Sequence, residues 1–254
     1  LLKHYIYIGI IFFISFLILA YTGFGSAQLS IEDPIPTLCN KSVEKTYILN
    51  YSTSCDYVNG VTISNSNTNF DFNASSLLGS GYLNPHMGIL ISNVSNITVY
   101  GDGRIGHFDT GVLINNSKNV NVSNMNFTGN KVSIKVINSS DVYITNNYLS
   151  TNTAGIKFYN VNNSIISANS FDSNDISGIS LFGSYDDKIT NNFISSSLNG
   201  VFVDTNSNNI TIDSNKFKRN FGVEINLGDG KETIEPLNLV SNNTCTISIP
   251  ESIC

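Results

Sequence analysis

A four-residue phrase that returns every 22 or 23 residues constrains this chain more than any other feature. It reads G-V-L-I at Gly111, G-I-K-F at Gly155, G-I-S-L at Gly178, G-V-F-V at Gly200 and G-V-E-I at Gly222. Counted through Gly88, Gly111, Ser133, Gly155, Gly178, Gly200 and Gly222, the intervals are 23, 22, 22, 23, 22 and 22 residues. A unit of that length cannot bury an apolar face alone, so neighbouring units must stack into coils. Within each unit, apolar and polar residues alternate in brief β-branched runs and helical spacing is never sustained, which predicts three short strands per coil. Ile134 and Val136, Val142 and Ile144, and Leu149 take the inward positions of one coil; Ile156 and Phe158, Ile166, and Phe171 take those of the next. The expected fold class is all-β, a single parallel β-helix of about eight coils, roughly 34 Å long at one strand spacing per coil.

The flanks read differently. Residues 1–27 begin with Lys3 and His4, continue as an apolar run from Tyr5 to Ala20, and end in Gly25-Ser26-Ala27. That is the three-part pattern of a signal peptide, and its length also suits an uncleaved membrane anchor; either way the remainder lies outside the cytoplasm. Residues 28–59 lack the repeat and are assigned to an N-terminal cap, with the β-helix over 60–254 and a C-terminal cap from about 231. Gly79 to Pro85 reads as a loop insertion. Four cysteines fall as two local pairs bracketing the repeats, so Cys39 with Cys55 and Cys245 with Cys254 are expected to form disulfides, which persist in oxidising compartments. Export makes the Asn-x-Ser/Thr sequons relevant, at Asn40, Asn50, Asn73, Asn93, Asn96, Asn115, Asn121, Asn126, Asn138, Asn162, Asn209 and Asn242.

Composition narrows the partners. Only 13% of the residues are charged and the net charge is -6, so the clustered Lys and Arg that nucleic-acid binding needs are missing. Three His, two Met and no Trp argue against metal and cofactor sites, and none is expected. Asp186-Asp187 lines up with Asp141 and Asn163 as a turn column rather than a metal cluster.

Three residues after the last apolar position of the second strand stand Asp102, Met125, Asn147, Asn169, Asn192 and Asn215. Asparagine tolerates a left-handed corner and its amide both donates and accepts, so stacked copies form a hydrogen-bonded ladder. Gly-Ile-x-Leu, a Ser/Asn turn and Ile-x-x-Asn-x-Phe together resemble the right-handed β-helix repeats of the pectin-lyase-like superfamily, especially its NosD-like and carbohydrate-binding and sugar hydrolase groups. The resemblance runs from about Cys39 to the C-terminus and implies a right-handed helix. It includes lyases, hydrolases, epimerases, adhesins and a copper-site accessory protein, so it does not choose an activity.

The catalytic signatures of those enzymes are missing. Neither Gly-His-Gly nor Arg-x-Lys occurs, Asn84-Pro85-His86 lacks the aspartate of the epimerase triplet, and Asp102, Arg104, His107 and Asp109 sit at corner and strand positions. Attention therefore falls on the outward side of the first strand. One outward row reads Leu113, Lys135, Lys157, Ser180, Phe202 and Glu224; the next reads Asn115, Ile137, Tyr159, Phe182, Asp204 and Asn226. Tyr159, Phe182 and Phe202 would form a platform for the apolar faces of sugars, with Lys135 and Lys157 facing acidic groups. An ordinary side-chain stack or a protein contact would give the same pattern. Asp204 and Glu224, roughly 8 Å apart on neighbouring coils, are the acid/base candidates. Two functions stand: a noncatalytic secreted or cell-surface glycoprotein that binds glycan or an envelope partner, and a polysaccharide lyase, hydrolase or epimerase.

Overall fold

The computed structural model describes residues 38–81, 85–228, 238–251 and 253–254. The expected signal segment, Asn84 and most of the start of the expected C-terminal cap lie outside them. The described residues form a right-handed parallel β-helix whose 27 strands build sheets of ten, nine and eight strands. Every pairing is parallel, and each strand's partners lie one coil before and one coil after it.

The winding goes further at both ends than the glycine phrase does. Lys41–Val43, Tyr47–Ile48 and Thr53–Cys55, in the stretch read as a cap, already join the three sheets as a complete coil. Leu239–Ser241 and Ser248–Ile249 extend two of the sheets beyond the last regular coil. Ten strands in the first sheet make nine steps, about 43 Å at one strand spacing each. Backbone pairing asks only for extended chain, so a segment can take a place in the stack without the phrase.

Alternation fills the interior. Ile134, Val136, Val142, Ile144, Leu149, Ile156, Phe158, Phe171, Ile179 and Leu181 are all fully buried, and each stacks on its counterpart one coil away. In the third sheet the column runs Ile105, Phe127, Leu149, Phe171, Ile194, Phe217. The glycines open each coil because the chain swings from that column into the first sheet with no space for a side chain. A Cβ on Gly155 would lie 2.4 Å from the carbonyl oxygen of Gly178 and 2.8 Å from the ring of Phe171. Ser133, which stands where the coils on either side have glycine, is fully buried.

Two amide ladders close the corners. In the first, the Oδ1 of Asn169 accepts from the backbone N–H and side-chain amide of Asn147 at 2.9 and 3.0 Å; Asn192 and Asn215 repeat this one and two coils on, and Asn243 ends the row. The expected member Asp102 does not belong. It is exposed, with φ of 55°, and its N–H donates to the carbonyl of Asn124, so it stands in the neighbouring column of left-handed residues. The chain carries one extra residue at Gly101, and Gly103 occupies the ladder's level. The second ladder, Asn130, Asn152 and Asn174, follows the third strand and is built the same way.

Candidate functional site

The outward side of the first sheet carries most of the residues singled out from the sequence. Strands Ala154–Tyr159 and Ser177–Phe182 pair with Tyr159 opposite Phe182, and the two rings stack with centroids 4.9 Å apart and planes 10° from parallel. Phe202 enters from strand Asn199–Val203 and lies 5.6 Å from Phe182 at a tilt of 46°. All three rings are half-buried, as expected of side chains that lean on one another above a sheet. Ser180, between Lys157 and Phe202 in its row, is buried and bonds the hydroxyl of Ser177.

Two lysines flank the rings. Lys135 and Lys157 face each other directly across strands Val132–Ile137 and Ala154–Tyr159, and the Nζ of Lys135 lies 5.4 Å over the ring of Tyr159. Burial, and then the ammonium groups of Lys135 and Lys131, hold the pKa of Lys157 below the usual lysine value. Neither Lys135 nor Lys157 has a carboxylate partner: the two ion pairs among the described residues are Lys118 with Asp141 and Lys131 with Asp109. Like charges directly opposite on a sheet destabilise it, so this pair favours an anion on the same face.

The carboxylate candidates do not come together. Asp204 follows the rings at the strand end, where its Oδ1 accepts from the N–H of Gly183 and the hydroxyl of Ser207 at 3.0 and 2.6 Å, which makes it a turn-former. Glu224 leaves the expected outward row altogether. Phe202 pairs with Asn226 rather than Glu224, because that coil carries added residues in the turn after Val203 and between Asn220 and Glu224, and the residue aligned with Gly200 is Glu224, not Gly222. Its side chain is buried and accepts from the N–H and hydroxyl of Thr246. Asp102, Arg104, His107 and Asp109 also stay apart in role, with Asp109 bound to Lys131. No group of three potential metal ligands occurs among the described residues.

Beside the ring face, at the corner between the first and second sheets, lies a groove of about 560 Å³ that strand-based reading missed. Asn116, Lys118, Asn138, Asn160, Asn162 and Tyr185 line it. Its signal was the recurrence of asparagine directly after the outward row, at Asn116, Asn138 and Asn160. These three hold left-handed backbones, with φ of 46°, 46° and 53°.

The cysteines stand where disulfides can form: Cys39 bonds Cys55 and Cys245 bonds Cys254, with Cα atoms 5.4 and 5.2 Å apart. Of the twelve sequon asparagines, Asn115, Asn121, Asn126 and Asn162 are half-buried and the other eight are exposed.

A family model described as a right-handed β-helix region matches residues 87–245. No curated protein sequence matches. Among solved structures, the tailspike protein of Escherichia coli bacteriophage HK620 in complex with a pentasaccharide superposes with a TM-score of 0.57 at 13% identity, over 83% of this chain and 43% of the tailspike. Two tailspike variants in complex with pentasaccharide give TM-scores of 0.57 and 0.55 at 14% identity over 83% of this chain, with 44% and 43% of the tailspike covered. The chain thus spans less than half the length of these structures, and the likeness is one of fold.

Proposed function

This chain belongs to the family of right-handed β-helix proteins, and from that premise we propose that it is an exported, noncatalytic glycoprotein that binds an acidic glycan through the outward face of its first sheet. The observation that carries the reading is the stacked pair Tyr159 and Phe182, continued by Phe202 and flanked by two lysines that pair with no carboxylate among the described residues. Aromatic faces take up the C–H faces of sugar rings, while unpaired ammonium groups attract uronate carboxylates. The tailspike structures that share the fold hold a pentasaccharide, which supports a saccharide ligand for this chain. Export is supported by the reading of residues 1–27 and by the two cysteine pairs.

Catalysis has little to rest on here. Asp204 is tied into a turn and Glu224 is turned under the last coil, so among the described residues this candidate pair does not flank the rings.

The test is a screen of uronate-containing and neutral polysaccharides for both binding and product release. Wild-type protein is expected to retain acidic polysaccharide without releasing product. Replacing Tyr159, Phe182 and Phe202 together by alanine should weaken retention at least tenfold while leaving the far-UV circular dichroism unchanged. Equal retention by the triple variant removes the ring face as the contact. Product release that persists in Asp204→Asn and Glu224→Gln replaces the binding reading with an enzyme whose site lies elsewhere.

A further inference from the structure

The asparagine groove adjoins the ring face so closely that one extended ligand would meet both. Asn138 and Asn160 directly follow Ile137 and Tyr159 in the chain, so the groove begins one residue past the outward row that carries the aromatic stack. Its floor is already committed. The hydroxyl of Ser139 accepts from the N–H of Ser117 at 3.1 Å and donates to the carbonyl of Ile137 at 2.7 Å, which fixes the corner backbone without help from anything bound.

The wall is not committed in the same way. The amide of Asn116 makes no side-chain hydrogen bond among the described residues, and Asn138 uses only its oxygen, which accepts from the amide of Asn160 at 3.1 Å. The row then reaches Gly183, where a Cβ would stand 2.7 Å from the Oδ1 of Asn160, so glycine leaves that amide's outer edge clear. Tyr185 closes the far end, with its hydroxyl bonded to Asn162. Lys118, the one cation in the lining, is drawn to Asp141 at 3.6 Å. The groove therefore offers amide donors and acceptors at one strand spacing per coil, about 4.8 Å, with its single charge already paired.

A ligand suited to such a wall carries neutral groups that both donate and accept. The acetamido group of an N-acetylhexosamine does so, and amide against amide is the pairing this protein itself uses in its two ladders. Resting on the glycan-binding reading above, we infer that the groove is a second saccharide subsite, specific for N-acetylhexosamine. The ligand is then a heteropolysaccharide in which uronate, held by Lys135 and Lys157, alternates with N-acetylhexosamine held by Asn116, Asn138 and Asn160.

Three hexasaccharide probes separate the two parts by titration calorimetry on unglycosylated full-length protein: alternating glucuronate and N-acetylglucosamine, oligogalacturonate, and chitohexaose. Because Asn116, Asn138 and Asn160 are left-handed, the groove variant replaces all three with glycine, which keeps that backbone without strain. The alternating probe should bind wild-type protein at least tenfold more tightly than either homopolymer. The groove variant should lose about tenfold for the alternating probe and for chitohexaose, and less than twofold for oligogalacturonate. Should the groove variant bind all three as wild type does, while the ring variant loses them, the second subsite is overturned and the ring face stands. If wild-type protein binds none of the probes, both readings fall. A groove variant whose melting temperature drops sharply is replaced by the single change Asn116→Gly, whose expected loss is two- to fourfold for the alternating probe and chitohexaose; unchanged affinity there overturns the subsite equally.

Discussion

Asn169 presents one oxygen to two donors of Asn147, its backbone N–H at 2.9 Å and its side-chain amide at 3.0 Å, and both residues are buried. Removing Asn169 therefore strands a backbone donor as well as a side chain. Asn169→Ala is expected to cost about 3 kcal/mol, since each unsatisfied buried group costs roughly 1–3 kcal/mol. Asn146, one column away, is exposed with φ of 56° and serves its backbone angle alone. Asn146→Gly should stay within about 0.5 kcal/mol of wild type. Urea denaturation of the two variants checks the contrast; equal midpoints would mean the ladder carries no special stability.

Asp187 sets a pH dependence. Burial pushes its carboxyl up from 3.8 to about 8, assisted by the charge of Asp186 and opposed by the hydrogen bond from the N–H of Ser164. The folded state thus holds a proton that the unfolded chain releases above pH 3.8, so this group's contribution to stability is complete below that value and declines as pH rises toward about 8. The decline approaches 1.4 kcal/mol per pH unit at its steepest. Asp187→Asn keeps the acceptor for Ser164, and the change should flatten the fall and leave the variant more stable than wild type at pH 8. Thermal melts from pH 4 to pH 9 measure it; parallel curves for the two proteins would show that Asp187 is ionised in the fold.

Glu224 should behave as a structural residue. Its carboxylate accepts from the N–H of Thr246, the Thr246 hydroxyl and the N–H of Ile247. Glu224→Ala is expected to speed amide hydrogen exchange at Thr246 and Ile247 while changing saccharide affinity by less than twofold. Loss of binding with exchange unaltered would return Glu224 to the ligand face.

Glycan occupancy should follow exposure. In a host with the transferase, glycan mass is expected among Asn40, Asn50, Asn73, Asn93, Asn96, Asn209 and Asn242, and absent from Asn138, whose amide the saccharide subsite uses, and from Asn121, Asn126 and Asn162, whose Oδ1 atoms are enclosed. Peptide mass mapping decides it, and modification of the enclosed three would contradict the described packing.

Much of this architecture was legible in the sequence because a parallel stack repeats its side-chain environments at one interval. Ile156 and Phe158 inward forces Lys157 and Tyr159 outward, and the expected separation of about 5 Å between Tyr159 and Phe182 follows from strand spacing alone. The failures share one physical cause, a residue added at a corner. One extra residue beside Gly101 moved Asp102 off the ladder, and residues added after Val203 and between Asn220 and Glu224 moved Glu224 off the outer row. Corners absorb insertions without altering strand pairing, so a count from the nearest glycine goes astray there. The groove escaped notice for a related reason: alternation assigns sides to strand residues and says nothing of what a turn presents.

The coil-to-coil hydrogen bonds run along the axis of the stack, while the chain itself runs across it. Tension applied through the two ends of the coiled region would thus meet those bonds a strand at a time, as thread leaves a spool, rather than shear a whole sheet at once. Each regular coil released would pay out 22 or 23 residues, roughly 75 Å of extended chain, and expose a fresh coil of nearly the same strength beneath it. Such a rod yields at a steady, modest force over a long travel, and it stops unwinding wherever the load is removed.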